Sequence, residues 1–107
     1  MNALSPGELA ARLSTPNDST LLDVRKAAAL HSAGRTLPGA LWRDPALWLE
    51  WKDSVASDKP VVVYCAHGQE ISQALAMALQ VMGRDVAYLR GGYGAWVEAG
   101  LATQAIA

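Results

Sequence analysis

Pro60-Val61-Val62-Val63-Tyr64-Cys65 is the stretch that most narrows what this chain can become. Three valines and a tyrosine in a row, with no polar residue between them, suit a strand covered on both faces rather than a half-exposed strand or an amphipathic helix. A strand of that kind needs parallel neighbours beside it and helices above and below it. The surrounding sequence has the material for both. Thr20-Leu21-Leu22-Asp23-Val24 and Val86-Ala87-Tyr88-Leu89 read as further buried strands, and Ala40-Leu41-Trp42 as a shorter one. Between them lie segments with helical spacing or helix-start signals, and strands alternating with helix-length connections predict an α/β domain with a mainly parallel sheet.

The helices have recognisable ends. Ser5-Pro6-Gly7-Glu8 combines a capping serine, a proline at the first helical position and a glutamate three residues after the cap, so a helix starts there and stops before the turn-rich Thr15-Pro16-Asn17-Asp18. Lys26 to His31 is alanine-rich and suits a short helix, after which Gly34-Arg35-Thr36-Leu37-Pro38-Gly39 is expected to break regular structure. From Asp44 to Ser57, Leu47, Trp48, Trp51 and Val55 recur at helical spacing behind an Asp44 cap and Pro45. Ile71, Ala74, Leu75, Ala78, Leu79 and Met82 mark a helix closed by Gly83, and Tyr93 to Ala99 a last one closed by Gly100. Trp42, Trp48 and Trp51 are expected in the core.

Composition sets limits. With 107 residues, 51% of them hydrophobic, residues 1–107 form one domain able to bury a core by itself. The single cysteine, Cys65, has no internal disulfide partner, and His31 and His67 are too far apart to complete a zinc-type ligand set, so no metal and no organic cofactor are expected. Nine basic against ten acidic residues give a formal charge of −1 and no electrostatic case for nucleic acid. No apolar run reaches membrane-spanning length and Met1 to Pro6 lacks the features of a signal peptide, which predicts a soluble, cytoplasmic protein with no membrane contact.

In an open parallel sheet, ligands bind where strands end and loops lead into helix N-termini. Cys65 ends the central strand there, and Ala66-His67-Gly68-Gln69-Glu70 leads into the next helix. A loop of that length can turn several backbone N–H groups towards the sulfur, and both these and the helix N-terminus favour thiolate over thiol. Two readings of Cys65 stand at this point: a nucleophile, or a small buried hydrophobe. His67 is likewise either a source of positive charge beside the sulfur or an ordinary exposed loop residue. His31 has no partner in the sequence and receives no role.

Leu21-Leu22-Asp23-Val24-Arg25, Leu37-Pro38-Gly39-Ala40, Val61-Val62-Val63-Tyr64-Cys65-Ala66-His67-Gly68 and Leu89-Arg90-Gly91-Gly92-Tyr93-Gly94-Ala95-Trp96 together resemble the successive motifs of single-domain rhodaneses. Their order and spacing match from near the N-terminus to about Leu101. The resemblance implies a rhodanese-like fold, a five-stranded, mainly parallel sheet flanked by helices on both faces. It also implies a sulfurtransferase in which Cys65 takes a sulfane sulfur from thiosulfate or a persulfide donor and yields it to cyanide or a thiol, with a sulfur-carrier protein as a further partner. Ala66, His67, Gly68, Gln69 and Glu70 would form the substrate-binding loop, and Asp23 and Arg25 would support the wall of the site. Gly91, Gly92 and Trp96 would serve as turn and packing residues.

Two features of the loop bear on what the resemblance implies. Related phosphatases end a longer loop in arginine, and Ile71 stands at that place here, which leaves no bidentate clamp for a phosphoryl group. Many rhodaneses have arginine, threonine or serine at the sixth loop position, where this chain has Glu70. Pointing inward, its carboxylate would repel an anionic sulfur about 4 Å away by about 4 kcal/mol at an effective dielectric near 20. In the first helical turn, facing solvent, it would instead complement the helix N-terminus. The rival reading is a non-catalytic rhodanese-like interaction or sensing module; His67 to Ser72 also faintly resembles rhodanese domains associated with chromate resistance, which implies a link to oxyanion stress.

Overall fold

The computed structural model describes residues 2–15 and 19–106. In chain order the elements are β1 (Asn2–Leu4), α1 (Pro6–Leu13), β2 (Thr20–Asp23), α2 (Ala27–Ala33), β3 (Arg35–Thr36), β4 (Leu41–Trp42), α3 (Trp48–Trp51), β5 (Val61–Tyr64), α4 (Glu70–Val81), β6 (Val86–Leu89), α5 (Gly92–Glu98) and β7 (Gln104–Ala105). The valine run is the middle of a five-stranded sheet ordered β1-β6-β5-β2-β4, and every pairing within it is parallel. Val62 sits opposite Leu21 on one side and Ala87 on the other.

Side chains alternate across β5 and so divide the core in two. Val61, Val63 and Cys65 face Trp51, Ala76 and Leu79 of α3 and α4, whereas Val62 and Tyr64 face Leu9 and Trp96 of α1 and α5. Helices therefore cover both faces, and every residue of β5 is buried.

The capping box forms as the sequence requires: Ser5 Oγ accepts from the Glu8 N–H at 3.1 Å while Glu8 Oε1 accepts from the Ser5 N–H at 2.9 Å, with Pro6 in the first turn. Ser5→Ala is expected to lower stability by about 1 kcal/mol, read as a fall in the thermal midpoint, because it leaves an N–H of the first turn without its partner. The end of α1 at Leu13 agrees with the expected stop before Thr15, while residues 16–18 of the expected turn lie outside the described residues.

Four expectations need correction. Gly34 to Gly39 does not break all regular structure, because Arg35–Thr36 forms β3 and pairs antiparallel with β7. Neither β7 nor the edge strand β1 stood out in the sequence. The segment after Asp44 is not one helix: Asp44 Oδ1 accepts from Ala46 N–H at 2.9 Å to cap a 3-10 turn, one turn of α-helix follows, and a second 3-10 turn closes it. The buried side of α4 is carried by Ser72, Ala76 and Leu79 with Ile71 and Leu75 beside them, while Ala74 is exposed. Of the tryptophans, Trp48 and Trp51 meet edge to face at 4.8 Å within the core. Trp42 lies apart, its indole N–H donating to the Arg25 carbonyl at 2.9 Å.

Among the described residues no helix is long and apolar enough to cross a membrane.

Candidate active site

Cys65 is the first residue beyond β5, and α4 begins five residues later at Glu70, one residue earlier than the spacing suggests. No side chain caps α4. The sulfur lies beside this helix start instead: Ser72 Oγ is 3.2 Å from Cys65 Sγ, and the backbone N–H groups of His67, Gln69 and Ser72 favour its thiolate. Burial by itself pushes the thiol up, since only 5% of the residue is exposed. The hydrogen bonds from the Ser72 side chain and the three backbone groups outweigh burial and hold the thiol below its ordinary value.

The loop keeps this shape because the first turn of α5 is stacked against it. Tyr93 N–H donates to the Cys65 carbonyl at 2.9 Å and Gly94 N–H to the Ala66 carbonyl at 3.0 Å. Gly68 and Gly92 adopt φ of 68° and 61°, and both stand where backbone meets backbone. A Cβ on Gly68 would lie 2.6 Å from both the Gly91 nitrogen and the Leu89 carbonyl oxygen, and one on Gly92 would collide with the Cys65 carbonyl.

Asp23 ends β2 and is fully buried, and Arg25 is 2% exposed. Arg25 Nη2 donates to Asp23 Oδ2 at 2.7 Å and to the Arg35 carbonyl at 2.7 Å, and Arg25 Nε lies 3.0 Å from Asp23 Oδ1. Burial works against the guanidinium charge, but the hydrogen bonds and charge of Asp23 outweigh it and raise Arg25 above its ordinary value. Tyr64 Oη donates to Asp23 Oδ2 at 2.9 Å and lies 2.6 Å from Thr36 Oγ1, and the guanidinium carbon sits 4.2 Å from the Tyr93 ring centre. Burial first, and then the Asp23 charge, push the Tyr64 phenol up, so it remains a protonated donor. Arg25 thus lines the pocket, and the fully buried Asp23 holds its guanidinium in place together with the Tyr64 hydroxyl and the Tyr93 ring.

Arg25, Lys26, Ala29, Cys65, Ala66, His67, Gln69, Glu70 and Ile71 line a pocket of about 360 Å³. Gly68 is buried behind it. His67 is exposed at the rim, with Gly94 close to its ring. Glu70 is exposed in the first turn of α4 and also borders the pocket, so the two orientations considered from the sequence are not exclusive. Sequence reading missed Lys26 and Ala29 on the opposite lip, and passed over Ser72 as a contact of the sulfur. The signal for Ser72 was a lone hydroxyl on the apolar side of α4, one helical turn beyond the loop. Among the described residues no cluster of three or more His, Cys, Asp or Glu side chains is arranged to hold a metal ion.

This architecture agrees with four likenesses to known proteins. The rhodanese-like domain family model matches residues 5–99. A sulfurtransferase of Allochromatium vinosum is 33% identical over 101 residues, covering 94% of this chain and 92% of that protein. Among solved structures, a thiosulfate sulfurtransferase from Pseudomonas aeruginosa superposes with a TM-score of 0.80 at 27% identity, over 97% of this chain and 19% of that longer one. A protein of unknown function from Rhodopseudomonas palustris, described as a possible tyrosine phosphatase, superposes with a TM-score of 0.85 at 28% identity, over 97% of this chain and 85% of that one. With the parallel five-stranded sheet, the cysteine at the end of its central strand and a family match spanning nearly the whole sequence, the chain belongs to the rhodanese-like domain family.

Proposed function

We propose that the protein is a sulfurtransferase that moves a sulfane sulfur from thiosulfate or a persulfide to a thiophilic acceptor by way of a Cys65 persulfide. The observation that carries this reading is the place of Cys65 in an open pocket at the end of the central strand, with Ser72 Oγ 3.2 Å from Sγ and neighbouring backbone N–H groups favouring its thiolate. In the first half-reaction the Cys65 thiolate attacks the outer sulfur of thiosulfate, a new S–S bond forms, and sulfite leaves with the electrons of the broken bond. In the second half-reaction cyanide or a thiol attacks the terminal sulfur and Cys65 Sγ takes back the bonding pair as thiolate. The N–H groups serve both halves, since each begins or ends with negative charge on sulfur. An acceptor on a sulfur-carrier protein fits the same scheme, because the pocket opens to the surface.

Phosphoryl transfer has less support. Among the described residues Arg25 is the one arginine lining the pocket, and its guanidinium is committed to Asp23 and the Arg35 carbonyl. Ile71, at the place of the phosphatase arginine, packs against the core.

Intact-mass analysis after incubation with thiosulfate tests the proposal. The expected result is a gain of one sulfur atom that cyanide removes as thiocyanate. No gain with thiosulfate or with a low-molecular-weight persulfide would favour the interaction module instead.

Glu70 bears on the choice of donor. A carboxylate bordering the pocket opposes a dianion more than it opposes a neutral or cationic persulfide. Glu70→Arg is expected to lower KM for thiosulfate about fivefold, the effect of about 1 kcal/mol at an exposed charge, with kcat little changed. An unchanged KM would mean that the donor does not approach the Glu70 carboxylate.

A further inference from the structure

We infer that Ser72 is a catalytic residue of the transfer cycle: its buried hydroxyl, 3.2 Å from Cys65 Sγ, accepts from the resting thiol and turns to donate to the sulfur whenever Cys65 carries negative charge. The inference rests on Cys65 being the sulfur-carrying residue and adds a side chain that follows its charge through both halves of the reaction.

The local structure leaves the hydroxyl little else to do. A serine inside a helix commonly turns its O–H back to the carbonyl four residues earlier. For Ser72 that carbonyl belongs to Gly68, and it already accepts the Gln73 side-chain amide at 2.8 Å. Ser72 is 0% exposed and sits among Ile71, Leu75 and Ala76 on the apolar side of α4, so water is not its partner. Among the described residues no buried side-chain polar atom lacks a partner, and the contact that satisfies Ser72 Oγ is the one to sulfur. An alanine would suit both the helix and the apolar surroundings, and the hydroxyl is therefore explained by the sulfur.

A hydroxyl can both give and accept, which a backbone N–H cannot. In the thiol state Cys65 S–H donates to Ser72 Oγ. When that proton leaves to solvent, rotation about the Ser72 Cβ–Oγ bond points the O–H at the thiolate. The sulfur then uses its electron pair to bond the sulfane sulfur of the donor, from which sulfite or a thiolate departs with the electrons of the broken bond. When the acceptor removes the outer sulfur, the pair returns to Cys65 Sγ and the Ser72 O–H is in place to stabilise the leaving thiolate.

The other charged or titratable groups facing the pocket are Lys26 and Arg25 from the segment after β2, the latter held by Asp23, and His67 and Glu70 from the loop and α4. None of these is hydrogen-bonded to the Ser72 hydroxyl, whose contact is with Cys65 Sγ, so a change in thiol reactivity on truncation reports the hydroxyl.

The test is the rate of alkylation of Cys65 by iodoacetamide as a function of pH, in the parent protein, Ser72→Ala and Ser72→Thr. Loss of a hydrogen bond to a charged sulfur is expected to lower the alkylation rate of the alanine variant at neutral pH about tenfold, with recovery at higher pH. Threonine, which keeps the hydroxyl, is expected to return the profile towards that of the parent. The alanine variant decides the matter even if threonine overfills the site, and a profile superimposable on the parent's overturns the inference. Because alkylation needs no sulfur donor, a displaced alanine profile together with failure of the parent protein to load sulfur from thiosulfate or a persulfide would retain the role of Ser72 at the thiol and refute the sulfurtransferase reading.

Discussion

Cys65→Ser should abolish sulfur transfer, with thiocyanate formation falling to the uncatalysed background and no cyanide-removable sulfur appearing on the protein. Cys65 is the chain's only cysteine, so no second thiol can take over its part. A serine hydroxyl in the same cradle stays protonated at neutral pH, and its oxygen forms no bond equivalent to a persulfide. The fold should survive. Oxygen is smaller than sulfur and the N–H groups that meet the thiolate can donate to a hydroxyl oxygen, so the denaturation midpoint should move little. Turnover in the serine variant would refute the assignment of Cys65 and direct attention to a nucleophile outside the pocket.

Asp23→Ala should be the most destabilising of the substitutions considered, by about 3–5 kcal/mol, against a total stability of about 5–15 kcal/mol for a domain. The reason is what it leaves behind. Arg25 would keep a buried positive charge with the Arg35 carbonyl and the Tyr64 and Tyr93 rings as company, and Tyr64 Oη would lose its carboxylate acceptor. Chemical denaturation should show a lower midpoint at an unchanged slope. Adding Arg25→Met to Asp23→Ala should restore part of the loss, because removing both charges costs less than stranding one. A deficit below about 1 kcal/mol in the single variant would mean that water reaches the guanidinium and that the wall of the pocket is softer than it stands here.

Much of this arrangement was legible in the chain itself, and the exceptions have physical causes. The valine run, the capping box at Ser5 and the apolar stripe of α4 are local signals, and each marks an element that forms. Asn2–Leu4 has three residues and no turn chemistry to mark it; it is a strand because β6 offers it an edge. β3 and β7 contain two residues each and exist only as a pair brought together from distant parts of the sequence. The segment after Asp44 had the right apolar spacing, but the cap at Asp44 and the packing of Trp51 hold it as a succession of short turns. The pocket divides along the same line. Cys65 and its loop could be found from their place after the central strand, whereas Lys26, Ala29 and Ser72 join the site through the parallel pairing of β2 with β5 and the direction of α4. Tyr64 looked like one more apolar strand residue, and only the fold reveals that its hydroxyl braces the Asp23–Arg25 pair.

The hydrogen bonds from Tyr93 and Gly94 to the carbonyls of Cys65 and Ala66 have a consequence for when the protein becomes reactive. In the unfolded chain the thiol is an ordinary one, protonated for the most part at neutral pH. Its low-proton-affinity state requires the loop before α4 to be braced by the first turn of α5, which is synthesised later. Chemical competence therefore arrives after the sheet and its final crossover are complete, and the sulfur doubles as a built-in gauge of native assembly. A molecule caught partway through folding lacks the donors that favour the thiolate in the finished loop.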